Sequence, residues 1–150
     1  MEVHEYSTKR NKSEKGSLKT IKKALLQERG SHCEKCLRYY NALWLELDHI
    51  LPVMVAGAIF DKNNLQILCR DCHRIKTKVD KQIFQALKWL HLIHKVGVKE
   101  YQAYISIPQL HRIYYQFLKL KSNSSITQDA WWSNRIKAKP YNENRNTNGN

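Results

Sequence analysis

Two short strand-like runs leading into a helix, two Cys-x-x-Cys pairs bracketing them, and helical periodicity on either side assign this chain to the α+β class. The predicted architecture is a small core of two strands and a helix with zinc knuckles. An N-terminal helix and two C-terminal helices flank it. The expected boundaries are a basic flexible arm over 1–16, the core over 17–79, a helical extension packed on the core over 80–121, and a mostly disordered polar tail over 122–150.

Met1 to Gly16 is polar and charged and reads as a mobile arm that either touches phosphates or is simply solvated. Ser17 is an N-cap residue type. Leu18, Ile21, Leu25 and Leu26 recur at helical spacing, and Gly30 stops the run. Lys19, Lys22, Lys23 and Arg29 lie opposite, as a phosphate rail or as ordinary solvated surface. His32-Cys33-Glu34-Lys35-Cys36 forms the first knuckle, with His32 expected at the surface.

Leu43 to Ile50 alternates as a strand, with Leu43, Leu45 and Leu47 on one face and Trp44, Glu46 and Asp48 on the other. Pro52 suits a strand ending there. Val53 to Lys62 is a loop of unusually apolar composition around Gly57. It is open to extra packing, a partner surface or a short helical turn. Leu65 to Leu68 is a second strand, and a helix begins near Arg70 or Asp71. Asp80 is read as the cap of a further helix whose stripe runs Ile83, Phe84, Leu87, Leu90 and Ile93 or His94, stopped by Gly97. Tyr101 to Ile107 is extended or turn-like. Pro108 then opens a last helix through Leu110, Ile113, Tyr114, Phe117 and Leu118. Trp131-Trp132 in the tail either anchors it or stacks on bases.

The chain has 150 residues, which suits one domain with tails. Its 26 Lys and Arg against 13 Asp and Glu leave a formal net charge of +13, so it seeks polyanions. No apolar run approaches the roughly 20 residues of a membrane span. The start shows no export-signal pattern. Nucleic acid is therefore the first candidate partner and a membrane surface the second. The cysteines come as Cys33-x-x-Cys36 and Cys69-x-x-Cys72. Paired thiols at this spacing in a chain without an export signal indicate a four-cysteine zinc site rather than two disulfides. The interval between the pairs leaves room for a strand, a loop and a second strand.

Leu47-Asp48-His49-Ile50-Leu51-Pro52, then Asn64-Leu65-Gln66 and Cys69-Arg70-Asp71-Cys72-His73, stand in an order that resembles the HNH endonucleases, the ββα-metal or His-Me finger nucleases. The resemblance runs from about Leu18 to Lys78. It implies that Asp48 and His73 hold a catalytic divalent ion, Mg2+ or Mn2+, since carboxylate and imidazole suit such ions. It also implies that His49 takes a proton from the attacking water and that Asn64 holds His49. Cys33, Cys36, Cys69 and Cys72 would hold structural Zn2+. Arg70, Arg74, Lys76 and Lys78 are candidate phosphate contacts by charge and proximity. One difficulty stands: strand alternation sends Asp48 and His49 to opposite faces, whereas the resemblance requires them to converge. The residues alone also allow plain roles, with Asp48 and Asn64 as turn residues and His49 in the core.

The expected activity is metal-dependent hydrolysis of double-stranded DNA by an enzyme of homing, phage or restriction type. The alternative is a non-catalytic zinc-stabilised nucleic-acid-binding module or an accessory protein. The expected location is intracellular. The abundance of Lys, Asn, Ile and Tyr fits an AT-rich coding genome, as in a chloroplast, a mitochondrion or a phage.

Overall fold

In the computed structural model, residues 2–122 are described. The first element is one that local sequence hides: His4–Ser7 forms strand β1. Its partner is β5, Glu100–Ala103, with Glu5 opposite Gln102. The Gln102 side-chain amide donates to the Glu5 carboxylate at 2.9 Å. Part of the expected arm is therefore held in a sheet by residues nearly the whole described chain away.

Helix α1 spans Lys12–Arg29 and starts five residues before Ser17. The reason is a capping box. The Asn11 side chain accepts from the Glu14 N–H at 2.9 Å, and the Glu14 carboxylate accepts from the Asn11 N–H at 2.7 Å. Two orphan donors are thereby satisfied. Ser17, inside the helix, donates back to the Ser13 carbonyl at 3.1 Å. Leu18 and Leu25 are buried, and Gly30 ends the helix at a φ of 89° that a side chain would resist.

Strands β2, Leu45–His49, and β3, Leu65–Cys69, form an antiparallel hairpin in which Asp48 faces Gln66 and His49 faces Leu65. Leu43 and Trp44 belong instead to a 3-10 turn, Ala42–Trp44, and Leu43 is 82% exposed. The apolar loop takes both the packing and the helical-turn options. Val53–Val55 is a 3-10 turn, and Val55 is buried. Tyr6 donates its hydroxyl proton to the Met54 carbonyl at 2.7 Å, and the His111 ring lies 2.9 Å from the Val55 carbonyl.

Helix α2 runs unbroken over Arg70–Trp89. The expected break at Asp80 does not occur. No proline or glycine interrupts the segment, and Lys76, Val79, Ile83 and Leu87 recur on one buried face. The helix stops before His91, which takes a φ of 56°. Ile93–Lys95 then forms β4 against β5, so Ile93 and His94 lie in a strand rather than on a helix, and Gly97 sits in the turn between strands. The three-stranded sheet has the order β1-β5-β4. Helix α3, Ile107–Ser122, follows with Pro108 in its first turn.

Two apolar cores result. Leu18 and Leu25 of α1, Leu45 of β2, and Leu65, Ile67 and Leu68 of β3 make one with the buried thiols. Val55, the later half of α2, β4, β5 and α3 make the other. No helix of the described residues is long and apolar enough to cross a membrane. Trp131-Trp132 and the tail from residue 123 lie outside the described residues.

Candidate metal centre and active site

The first knuckle turns back on itself through the Cys33 N–H to the Arg38 carbonyl and the Leu37 N–H to the Cys33 carbonyl, with Leu37 at a φ of 63°. Cys69 ends β3 and Cys72 lies in the first turn of α2. The four sulfurs lie within 4.8 Å of one another, with Cys36 and Cys69 4.0 Å apart. Tetrahedral ligands at about 2.3 Å from one ion stand about 3.8 Å apart, so the cluster fits a metal such as zinc. All four thiols are free of disulfides. Burial pushes the Cys33 and Cys72 thiols up, and the neighbouring sulfurs add to this at Cys72. Four thiolates here need a cation to offset their mutual repulsion. The knuckle is docked by Glu34, which accepts from the Ile67 N–H at 2.5 Å and pairs with Arg29 at 3.2 Å.

Across the hairpin from the thiols, a second group of side chains gathers around a cavity of about 420 Å³. Arg10, Lys19, Lys22, Asp48, His49 and His73 line it. Asp48 and His49 thus share one cavity despite strand alternation, because β2 ends at His49 and the chain bends at Ile50. His73, one helical turn into α2, reaches the same place.

Three contacts set the geometry of the pair. The His73 Nδ1–H donates to the Glu46 carboxylate at 2.6 Å, and Nε2 lies 3.7 Å from Asp48 Oδ1. The other Asp48 oxygen, Oδ2, accepts from Gln66 at 2.7 Å and faces the Lys76 ammonium at 3.1 Å. In a neutral ring donating from Nδ1, the lone pair belongs to Nε2, on the Asp48 side. The 3.7 Å gap is too long for a good hydrogen bond. Two ligands about 2.1 Å from one ion are separated by about 3.0 Å at a right angle and about 4.2 Å when opposite, so the gap fits a shared divalent cation. The Glu46 carboxylate, by accepting from Nδ1, fixes the tautomer and tilt of the His73 ring.

His49 is fixed from the other side. Its Nε2 lies 3.0 Å from the Ile59 carbonyl. A carbonyl only accepts, so Nε2 carries the proton and Nδ1 holds the lone pair of the neutral ring. Burial lowers its pKa, and Arg10 and Lys76 act in the same direction, against the Ile59 bond and Asp48. Asn64 does not touch the ring. Its amide donates to the Leu51 and Ala58 carbonyls at 3.0 and 2.8 Å, and its oxygen accepts from the Leu51 N–H at 2.8 Å. It fastens both ends of the apolar loop, and the residue after Ala58 supplies the carbonyl that holds His49.

The expected phosphate contacts divide. Arg74 and Lys78 are exposed on α2 and make no ion pair among the described residues. Arg70 lies over the Trp44 ring at 4.6 Å, with Glu46 4.0 Å away. Lys76 requires a correction: it is 1% exposed, held between Asp48 and Asp80, and its ammonium is not available to a phosphate outside. Asp80 in turn accepts from the Tyr114 hydroxyl at 2.5 Å. Sequence reasoning gave Glu46, Gln66 and Arg10 no part in this site and gave Lys76 the wrong one. For Glu46 there was a signal, since it sits two positions before Asp48 on the same strand face. Lys76 carried one also, being three residues after His73 and four before Asp80 on one helix face. Arg10 had none.

Two antiparallel strands and a helix clasped by four thiols placed to hold a metal, with imidazole and carboxylate gathered nearby, define a ββα unit. Residues 33–78 match the family model HNH endonuclease, a domain type tied to nuclease or nucleic-acid-related function. Comparison with curated proteins and with solved structures finds no match.

Proposed function

We propose that the chain is a divalent-metal-dependent endonuclease that hydrolyses DNA phosphodiester bonds, with Asp48 and His73 as ligands of the catalytic ion and His49 as general base. The observation that carries this is the pairing of protonation patterns: Nε2 of His73 and Nδ1 of His49 are the free lone pairs of two rings that line one cavity with Asp48. A divalent ion bound there, Mg2+ or Mn2+, would supply charge stabilisation at the phosphate and the departing oxygen. The chain's own groups do the rest. His49, already neutral and held by Ile59, accepts a proton at Nδ1 from the attacking water. Arg10, Lys19 and Lys22 attract the phosphates at the cavity mouth, and Arg74 and Lys78 extend that attraction along α2. The four cysteines hold structural Zn2+, which fastens β3 and α2 to the knuckle and takes no part in the chemistry.

The test is nicking of supercoiled plasmid with added Mg2+ or Mn2+, comparing wild type with His49→Ala. Removing a general base costs about 10²- to 10⁴-fold in rate. Duplex binding should persist. Equal cutting by the two proteins overturns the assignment, and binding with no cutting under either ion would favour the non-catalytic module.

A further inference from the structure

The extension beyond the HNH domain carries a charge pattern that the proposed chemistry does not use. Residues 81–122 hold seven Lys and Arg against one acidic residue, Glu100. Glu100 is itself engaged by Lys9. Where α2 ends, Lys88, His91, Ile93, His94, Lys95 and Tyr104 line a cavity of about 580 Å³ with no carboxylate in its wall. His91, His94 and Lys95 are exposed, and Lys88 keeps its stem against Phe84, with the ammonium 5.1 Å from the ring. Beside this basic cavity in the chain stands Trp89, 80% exposed.

We propose that this cavity is a second nucleic-acid subsite, which takes a backbone phosphate of the same DNA while Trp89 packs against an adjoining sugar. The reading rests on the endonuclease proposal for the identity of the polyanion. Three observations favour DNA over other partners. Beside Ile93 the cavity wall carries two lysines, two histidines and a phenol but no carboxylate, which matches a phosphate rather than a mixed-charge protein surface. Cationic groups beside an exposed aromatic suit phosphate and sugar contacts along a backbone. The placement also fits a duplex. From His73 to Lys88 is fifteen residues on one unbroken helix, about 22 Å of rise, and the two positions lie about 60° apart around its axis. A groove-side distance of about 22 Å corresponds to roughly six or seven base pairs at 3.4 Å each. Helix α2 thereby acts as a spacer, with the catalytic pair at its start and a phosphate anchor at its end.

The experiment compares full-length Lys88→Ala/Lys95→Ala with wild type and with a charge-matched control, Lys15→Ala/Arg38→Ala. Fluorescence anisotropy of a labelled 30-base-pair duplex is read across a salt series with no divalent ion added, so binding is measured whether or not the chain cuts. The expected result is about a tenfold weaker affinity and a salt slope smaller by nearly two for the subsite variant, since each phosphate contact contributes about 0.9. Trp89→Ala should weaken binding with its slope unchanged. Cleavage at saturating DNA should match wild type, as no group in the catalytic cavity is altered. A subsite variant whose affinity and slope equal the control's overturns the proposal. So does unchanged DNA affinity accompanied by loss of binding to vesicles of anionic phospholipid, which would assign the cavity to a lipid surface. Lost binding with no cutting by any of the proteins leaves the subsite standing and removes the endonuclease reading instead.

Discussion

Replacing Lys76 with methionine should destabilise this protein more than any surface charge change, although lysine is ordinarily among the most exposed residue types. Its ammonium is buried to 1% and lies 3.1 Å from Asp48 and in contact with Asp80, whose side chains are only 11% and 12% exposed. Methionine fills similar volume, so the hydrophobic packing survives and the change isolates the charge. What is lost is the cation that makes two nearby carboxylates tolerable away from water. Removing one partner of a buried pair costs about 3–5 kcal/mol, because the other charge remains buried and uncompensated. Gln66 still donates to Asp48 and Tyr114 to Asp80, which points to the lower half of that range. For a domain of this size, about 3 kcal/mol lowers the melting temperature by roughly 10 °C. By contrast, the exposed Lys62–Glu28 pair is screened and should contribute little. Urea unfolding with zinc in the buffer reads the difference. Adding Asp80→Asn to Lys76→Met removes one of the two stranded charges and should recover more than about 1 kcal/mol, since contacting residues couple by that order. A Lys76→Met loss below about 1 kcal/mol, or an additive double variant, refutes the network.

Two further outcomes follow from the geometry. The purified chain should carry one tightly held zinc, read by metal analysis. Cys36→Ser, or prolonged exposure to a strong thiol-competing chelator, should release it and unfold the segment around residues 33–72, read by loss of amide protection. Folding that is indifferent to zinc would show the thiols to be idle. Gly57→Ala should fail locally. A Cβ there would lie 1.9 Å from the Leu51 carbonyl oxygen and 2.9 Å from that of Pro52, both backbone atoms that cannot swing aside. A cost of about 1–3 kcal/mol is expected from overpacking, together with slower cleavage as the loop carrying Ile59 shifts. Wild-type stability and rate in this variant would show the loop to be pliable.

What the sequence revealed and what it concealed divides along a physical line. Cys33, Cys36, Cys69 and Cys72 were legible because metal ligation dictates residue type and spacing together. The first strand of the hairpin was legible from period-two alternation and α3 from its stripe and Pro108, whereas β3 is buried at all five positions and shows no alternation. The pairing of His4–Ser7 with Glu100–Ala103 was not, since a four-residue strand has no signature until its distant partner is known. The start of α1 was misplaced because Ser17 and Asn11 are both good caps by type. Only the reciprocal Glu14 contact decides between them. Asp80 misled for a similar reason: an acidic residue before an apolar run reads as a cap, but here its carboxylate is committed to Lys76 and Tyr114 inside a continuous helix. The convergence of Asp48 and His49 depended on where the strand stops, which alternation alone cannot report.

The continuity of α2 links these results. Its first turn carries Cys72 and His73, its second Lys76, its third Asp80, and its later turns Ile83, Phe84 and Leu87 of the second core. The buried Lys76 and Asp80 therefore sit where one core gives way to the other, between Asp48 on β2 and Tyr114 on α3. A helix broken at Asp80 would leave the extension free to rock against the HNH domain, and the Asp48 carboxylate would lose one of the two donors that turn its other oxygen toward His73. An unbroken helix makes the orientation of the Asp48 carboxylate depend on the packing of α3. On this reasoning residues beyond 80 are not an appendage to the site. They brace it through one ammonium, one carboxylate and one phenol, and damage to α3 at Tyr114 should be felt at Asp48.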